Sequence, residues 1–126
     1  MRARRFPPRV AAAIDASQIF RIRAGRGSDH RFIGIWAVVV GGRVFARSWT
    51  RKPNGWYRTF LDDPLGAIEI NGREVRVRTR RVRSERIRDA IERAYAEKYP
   101  TRGSRKYVRG FRGARRRDTT LEFLPR

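Results

Sequence analysis

Two pairs of turn-forming residues constrain the fold of this 126-residue chain more than any other feature of its sequence. Asn71-Gly72 lies between two segments in which Ile and Val alternate with polar residues, and Asn-Gly is the strongest short signal for a two-residue β-hairpin. Gly41-Gly42 supplies the same kind of turn between the apolar segment 32–40 and the segment 43–49. The sequence therefore predicts at least two antiparallel strand pairs.

Other segments predict further strands and one long helix. Alternating apolar residues predict strands at residues 19–23 and 119–124. Segment 32–40 is apolar on both alternating faces, which is typical of a central strand covered on two sides. Ser84 is a good N-cap for a helix that continues until Pro100 ends it. Shorter helical segments are expected at residues 10–17, 55–62 and 104–111, followed by a solvated basic loop at residues 112–117.

Together these elements predict an α+β fold that is mainly β. Five or six antiparallel strands of this length usually close into a small barrel, because closure removes exposed strand edges. The length suits one domain with one core. We expect residues 1–18 to form a basic N-terminal arm with a short helix, and residues 19–126 to form a single barrel domain with one long helix in the C-terminal half.

The charge of the chain is strongly unbalanced. Basic residues outnumber acidic residues by 32 to 12, and the net charge is +20. Such a field attracts polyanions, acidic surfaces and phosphorylated ligands without specifying which one binds. Because 29 of the 32 basic residues are arginine, a GC-rich genome is an alternative cause of the excess.

Composition also excludes several classes of chemistry. The chain has no cysteine, which excludes disulfides, thiolate catalysis and cysteine-ligated metals. No apolar segment approaches the roughly 20 residues that cross a bilayer, so we expect no membrane association and a cytoplasmic location.

The single histidine, His30, follows Ser28 and Asp29, but sequence neighbours on a loop cannot adopt the geometry of a catalytic triad. We expect no metal site, because the carboxylates are scattered, and the glycine loop at residues 25–27 lacks the remaining residues of a phosphate-binding loop.

The segment 47–58 carries the richest chemistry. It leaves a strand, turns and enters a helix, so that its arginines, hydroxyls and backbone N–H groups can converge on one point. That arrangement suits a phosphate, and two tryptophans in the same stretch can wall a flat ring. The alternative is that both tryptophans belong to the core and the arginines to the surface.

Five runs, in this order, carry a resemblance to a known family: WAVVV at residues 36–40, VFARSW at 44–49, WYR at 56–58, AYAEKY at 94–99 and TTL at 119–121. They resemble an uncharacterised bacterial family among the split-barrel flavin-binding proteins related to pyridoxamine-phosphate oxidase. The resemblance implies a six-stranded antiparallel split β-barrel that pairs as a homodimer and holds FMN or a deazaflavin near the subunit boundary. It suggests a flavin- or deazaflavin-dependent oxidoreductase, without naming a substrate.

The resemblance also implies which residues hold the cofactor. Arg47, Ser48 and Thr50 would meet the phosphate or the edge of the ring, Arg58 would be a second phosphate contact, and Trp49 or Trp56 would flank the ring.

Two other functions remain open. One is nucleic-acid binding by the arginines that alternate along a predicted strand and by a later arginine run: Arg76, Arg78 and Arg80, with Arg115, Arg116 and Arg117. The other is a barrel that binds no cofactor and serves as a binding or interaction module.

Overall fold

The computed structural model describes residues 5–25 and 31–126. The expectations for His30, for Ser28 and Asp29, and for the glycine loop beyond Gly25 lie outside these residues. The helices of the described part are α1 Pro8–Ala16, α2 Trp56–Asp62, α3 Glu85–Lys98, α4 Arg105–Gly110 and α5 Ala114–Arg117. Its strands are β1 Phe20–Ala24, β2 Ile33–Ile35, β3 Ala37–Val40, β4 Arg43–Ala46, β5 Leu65–Ile70, β6 Arg73–Arg81 and β7 Leu121–Pro125.

The seven strands form one antiparallel sheet in the order β2-β1-β5-β6-β7-β4-β3. Its two end strands, β2 and β3, are consecutive in the chain and are separated only by Trp36. Because one residue joins the two ends of the order, the sheet must curl round on itself. The result is a nearly closed barrel, which confirms the predicted fold class.

The number of strands differs from the prediction, because the apolar run 32–40 breaks at Trp36 into β2 and β3. The prediction of one central strand is therefore wrong. Only the β3 half is covered on two sides, with Ala37 toward the barrel interior and Val38 under the helices. In the β2 half Ile33 is 43% exposed.

Both predicted turns are confirmed. Asn71 and Gly72 have φ angles of 51° and 77°, and Gly41 and Gly42 have 57° and 77°. Positive φ at both central residues is the signature of the type I′ turn, whose twist matches that of the flanking strands. The Asn71-Gly72 turn sets the register of β5 on β6, in which Ile68 pairs with Val75.

Apolar side chains form two cores. The first fills the barrel, where Phe60 of α2 and Phe123 of β7 meet edge to face with ring centroids 5.6 Å apart. The second lies outside the barrel wall, where Ile91 and Tyr95 of α3 pack on Val38 and Phe45. The predicted N-cap is confirmed, since Ser84 Oγ accepts a hydrogen bond from Ile87 N at 3.3 Å. The cap begins α3, and the second core holds both α3 and α4 on the outer wall next to the end of β4.

The segment 112–117 is not the predicted solvated loop, because residues 114–117 form α5. Arg117 of α5 donates hydrogen bonds to Glu85, Asp89 and Glu92 on α3. These hydrogen bonds and charges raise the pKa of Arg117 well above its usual range. They also hold α5 against α3.

In the described part of the chain, no helix is long and apolar enough to span a membrane.

Candidate functional site

A cavity of about 280 Å³ opens where β2 ends, β4 ends and α4 packs on the barrel wall. Five aromatic side chains provide most of its lining, which comprises Gly34, Ile35, Trp36, Arg47, Trp49, Trp56, Tyr107 and Phe111. We call it the aromatic cavity. Four parts of the chain form its walls: β2 with the break at Trp36, the segment after β4, the start of α2, and α4 with the residue that follows it.

Ring contacts fix the aromatic walls. Trp36 stacks on Tyr99 with centroids 4.2 Å apart and planes 7° apart. Trp49 meets Tyr107 at 5.2 Å and Phe111 at 5.5 Å, both edge to face. Trp49 and Tyr107 are each 40% exposed, so the cavity has a large apolar rim that faces solvent. Such arrangements stabilise each ring beyond its burial and keep the walls in place.

Arg47 supports this cavity from within the protein. Its side chain has no exposed surface, and three guanidinium nitrogens donate hydrogen bonds to three parts of the fold: Nε to Thr120 Oγ1 at 2.9 Å, Nη1 to Phe111 O at 2.9 Å and Nη2 to Arg88 O at 3.1 Å. Burial lowers the pKa of Arg47, and the nearby Glu92 carboxylate opposes that shift. Arg47, which directly follows β4, is thereby joined to α3, to Phe111 just after α4 and to Thr120 just before β7.

Tyr95 connects Arg47 to the other side of the cavity. Its hydroxyl accepts a hydrogen bond from the backbone N–H of Arg47 at 3.0 Å and donates one to Trp36 O at 2.9 Å. Burial raises the pKa of Tyr95 far above its usual value, so the phenol stays protonated and keeps donating. This bridge holds the break between β2 and β3 at a fixed distance from the end of β4.

Ser48 and Thr50 shape the turn that presents Trp49. Ser48 Oγ donates to Thr50 O at 2.5 Å, and Ser48 N donates to Thr119 Oγ1 at 2.8 Å. Thr50 Oγ1 accepts from Lys52 N at 2.9 Å. Both hydroxyls are thus engaged in local hydrogen bonds of the kind that stabilise turns.

Two residues clamp Trp49 itself. A methyl group at Gly110 would lie 2.4 Å from Trp49 Cη2, so the absence of a side chain there lets the indole pack on α4. The Arg116 guanidinium lies over the indole, 3.5 Å from its centroid, and Arg116 Nε donates to Trp49 O at 2.9 Å. Trp49 is therefore exposed at its rim but held in position.

A second cavity, of about 460 Å³, shares Trp49 with the first. Three of its eight lining residues are arginines, and the lining comprises Ser48, Trp49, Arg51, Gly113, Ala114, Arg115, Arg116 and Thr119. We call it the arginine cavity. An apolar cavity and a cationic cavity thus adjoin at one indole ring.

The structure brings together only some of the predicted cofactor residues. Arg47, Trp49 and Trp56 line the aromatic cavity, and Ser48 and Trp49 line the arginine cavity. Thr50 and Arg58 line neither, and Arg58 is exposed on α2. In the described residues no group of three His, Asp or Glu side chains could hold a metal ion.

Comparison with known proteins identifies the family. The model of the family described as "uncharacterized protein conserved in bacteria (DUF2255)" matches residues 10–123. The chain belongs to this family. The predicted resemblance to an uncharacterised bacterial family is thereby confirmed, while no curated protein matches the sequence.

Solved structures share the fold of this DUF2255 protein. A conserved hypothetical protein from Mycobacterium tuberculosis superposes with a TM-score of 0.57 at 11% identity, over 96% of this chain and 79% of that one. A protein from Mesorhizobium loti described as FAD-binding superposes with a TM-score of 0.55 at 12% identity, over 99% of this chain and 92% of that one. At such identities the likeness establishes a common barrel fold.

The residues predicted for nucleic-acid binding lie in two different places. Arg76 and Arg78 are exposed on the outer face of β6, while Arg80 on the same face donates to the buried Glu122 at 2.9 Å. The later run belongs to α5, where Arg116 packs on Trp49 and Arg117 binds the carboxylates of α3. Arg115 is exposed. The two groups therefore do not form one continuous strip along a single element.

Three of the aromatic residues that line the cavity are not among the predicted site residues: Trp36, Tyr107 and Phe111. The apolar pattern places Trp36 in the interior of a strand, although it is the break between two strands. Tyr107 and Phe111 are four residues apart, which is the spacing of one helix face, and this was the available signal. Nothing local to them indicates that Trp49 is their partner.

Proposed function

We propose that this protein binds the isoalloxazine or deazaflavin ring of a flavin-type cofactor in the aromatic cavity. The observation that carries the proposal is the wall of five aromatic side chains around about 280 Å³. Small-molecule sites are concave, mostly apolar and about 300–1,000 Å³ in volume. At about 280 Å³ this cavity lies just below that range, so it suits one flat ring system with the rest of the ligand outside. The description of the barrel from Mesorhizobium loti as FAD-binding supports this choice of ligand class.

The side chains of the cavity fit such a ring. Trp49 and Trp56 would flank it, as the family resemblance implies, with Trp36, Tyr107 and Phe111 excluding water around it. Arg47 would hold the walls through its internal hydrogen bonds. Contacts from Ser48, Thr50 and Arg58 to the cofactor stay predictions. When bound, a flavin or deazaflavin would supply hydride chemistry, and we propose an oxidoreductase role on that basis.

Titration of the purified protein with FMN, FAD and a deazaflavin, followed by quenching of ligand fluorescence, tests this proposal. Trp49→Leu removes an aromatic wall and should weaken binding about two- to tenfold, because one aromatic pair stabilises a complex by about 0.5–1.5 kcal/mol beyond its area. The control is Leu61→Ala on α2, an exposed apolar residue outside the cavity lining. Absence of binding for all three ligands would leave the cofactor-free interaction module as the better interpretation.

We further propose that two copies of the chain pair through the exposed aromatic rim. Trp49 and Tyr107 are each 40% exposed, and their rings meet at the rim of the aromatic cavity. Large apolar side chains grouped on one surface are typical of an interaction site. Sedimentation at micromolar concentration should give a dimer, and a strictly monomeric protein would contradict this pairing.

A further inference from the structure

The arginine cavity concentrates positive charge that the protein does not neutralise. Arg51, Arg115 and Arg116 line it, and the only carboxylate that pairs with any of them among the described residues is Asp118. Asp118 pairs with Arg51 at 3.0 Å and with Arg88 at 3.2 Å, and Arg81 lies 3.8 Å away. One carboxylate thus serves three arginines, and an excess of cationic charge remains at the cavity.

Arg116 is positioned to use that charge. Its stacking on Trp49 and its Nε hydrogen bond to Trp49 O fix the guanidinium. Within residues 5–25 and 31–126 neither terminal nitrogen has a hydrogen-bond acceptor or an ion-pair partner. A guanidinium held in place loses less conformational freedom on binding an anion than a free one does.

Arg115 adds a second cation, and it is exposed with no ionic partner in the described part of the chain. The hydroxyls of the lining are already engaged, since Ser48 Oγ donates to Thr50 O and Thr119 Oγ1 donates to Arg116 O at 2.6 Å. The free side-chain donors of the cavity are therefore guanidinium groups. Guanidinium forks match the geometry of phosphate oxygens, which accept two parallel hydrogen bonds.

We infer that the arginine cavity binds the phosphate or pyrophosphate group of the ligand whose ring lies in the aromatic cavity. The inference rests on the proposed function for its ring-bearing ligand. Trp49 lines both cavities, so a molecule with a ring and a phosphate can occupy both by passing this one side chain. Arg47 is engaged inside the fold and Arg58 lines neither cavity, so the phosphate is assigned to Arg115 and Arg116 instead.

Calorimetric titration with inorganic pyrophosphate tests the anion site without any flavin. Arg115→Ala and Arg116→Met, which keeps an apolar chain over Trp49, should each weaken pyrophosphate binding about tenfold or more. The matched control is Arg73→Ala, an exposed arginine at the far end of β6. Arg73 lies roughly 26 Å along the strand from Arg81, which is next to Asp118, the carboxylate that pairs with the lining residue Arg51. That variant should change the affinity less than about twofold, because the distance exceeds the screening length at physiological salt.

Comparison of riboflavin with FMN links the two cavities. FMN should bind the parent protein about tenfold or more tightly than riboflavin, and replacing both Arg115 and Arg116 should abolish this difference. Equal affinity of riboflavin and FMN would overturn the inference and leave the proposed ring site intact. Arg116-dependent pyrophosphate binding without any flavin binding would support the anion site and overturn the proposed flavin function. Absence of pyrophosphate binding by the parent protein would overturn the inference whatever the flavins do.

Discussion

Arg47 illustrates how far the role of a residue depends on packing that its neighbours in sequence do not reveal. The run Arg47-Ser48-Trp49-Thr50 suggests a phosphate-binding turn, because arginines and hydroxyls alternate there with a large aromatic ring. In the structure the Arg47 side chain is fully buried and its guanidinium bonds to two backbone carbonyls and a threonine hydroxyl. The three acceptors lie 41 to 73 residues later in the sequence, and no local pattern encodes them.

Replacing this buried guanidinium should cost much of the stability of the fold. Arg47→Met fills a similar volume but leaves Phe111 O without a hydrogen-bond donor, while Arg88 O keeps its place in the backbone ladder of α3 and Thr120 Oγ1 keeps its hydrogen bond to Arg117 O. One unsatisfied buried polar group costs about 1–3 kcal/mol, so we expect the free energy of unfolding to fall by about that amount. Urea unfolding followed by far-UV circular dichroism measures this value.

At the scale of the elements, local chemistry was sufficient wherever one residue pair determines the backbone. The Asn71-Gly72 and Gly41-Gly42 turns and the Ser84 cap were predictable for this reason, and with them both hairpins and α3. The break at Trp36 was not predictable, because the nearest glycine, Gly34, lies two residues earlier inside β2 and the residues that flank Trp36 are apolar on both faces. It follows from barrel closure, which is a property of the whole sheet.

The missed parts of the site have the same physical cause. α5 has only four residues, and Arg117 holds it through carboxylates of α3 that lie 25 to 32 residues earlier. Tyr107 and Phe111 reach Trp49 only because α4 packs on the outer wall. The sequence therefore indicated Trp49 and Trp56 as ring partners, but it could not indicate which side chains complete the cavity.

Close packing of α2 and β1 against β5 gives a prediction at this scale. A methyl group at Gly66 of β5 would lie 2.5 Å from Arg23 O and 2.7 Å from the Phe60 ring, whereas one at Gly103 would meet nothing within 4 Å. Gly66→Ala should lower the free energy of unfolding by about 1–3 kcal/mol, because overpacking forces the neighbours apart. Gly103→Ala should be close to neutral or slightly stabilising. Thermal unfolding compares the two, and equal values would show that β1 and α2 can move away without cost.

Over the whole molecule, ion pairs compensate some of the 32 basic side chains, and a net charge of +20 remains. On the outer face of the barrel Arg21 pairs with Glu69, Arg23 with Glu74, and both Arg43 and Arg80 with Glu122. Burial alone would raise the pKa of Glu122, but the hydrogen bonds and charges of its two arginines outweigh burial and lower it. Arg76 and Arg78 have no ionic partner among the described residues, so they are the cations of this face that remain available to a polyanion.

If this face binds nucleic acid, its affinity for a single-stranded oligonucleotide should fall steeply as salt rises. Each phosphate contact contributes about 0.7 to the slope of log affinity against log salt for a single strand. Replacing Arg76 and Arg78 together by alanine should therefore flatten the slope by about 1.4, and adding Arg80→Ala should change it less, because Glu122 already holds that side chain. Fluorescence anisotropy of a labelled oligonucleotide, measured across a salt series, gives these slopes.

The control must separate contacts on this face from the field of the whole molecule. Replacing Arg86 and Arg93 together by alanine removes the same charge from exposed positions on α3. If the two double variants flatten the slope equally, the oligonucleotide responds to net charge and has no specific contact with β6. If the parent protein does not bind near physiological salt, the positive charge of the outer face has no role in nucleic-acid binding. A GC-rich genome then becomes the better explanation for the arginine excess, because uncompensated arginines would persist on this face without selecting a partner.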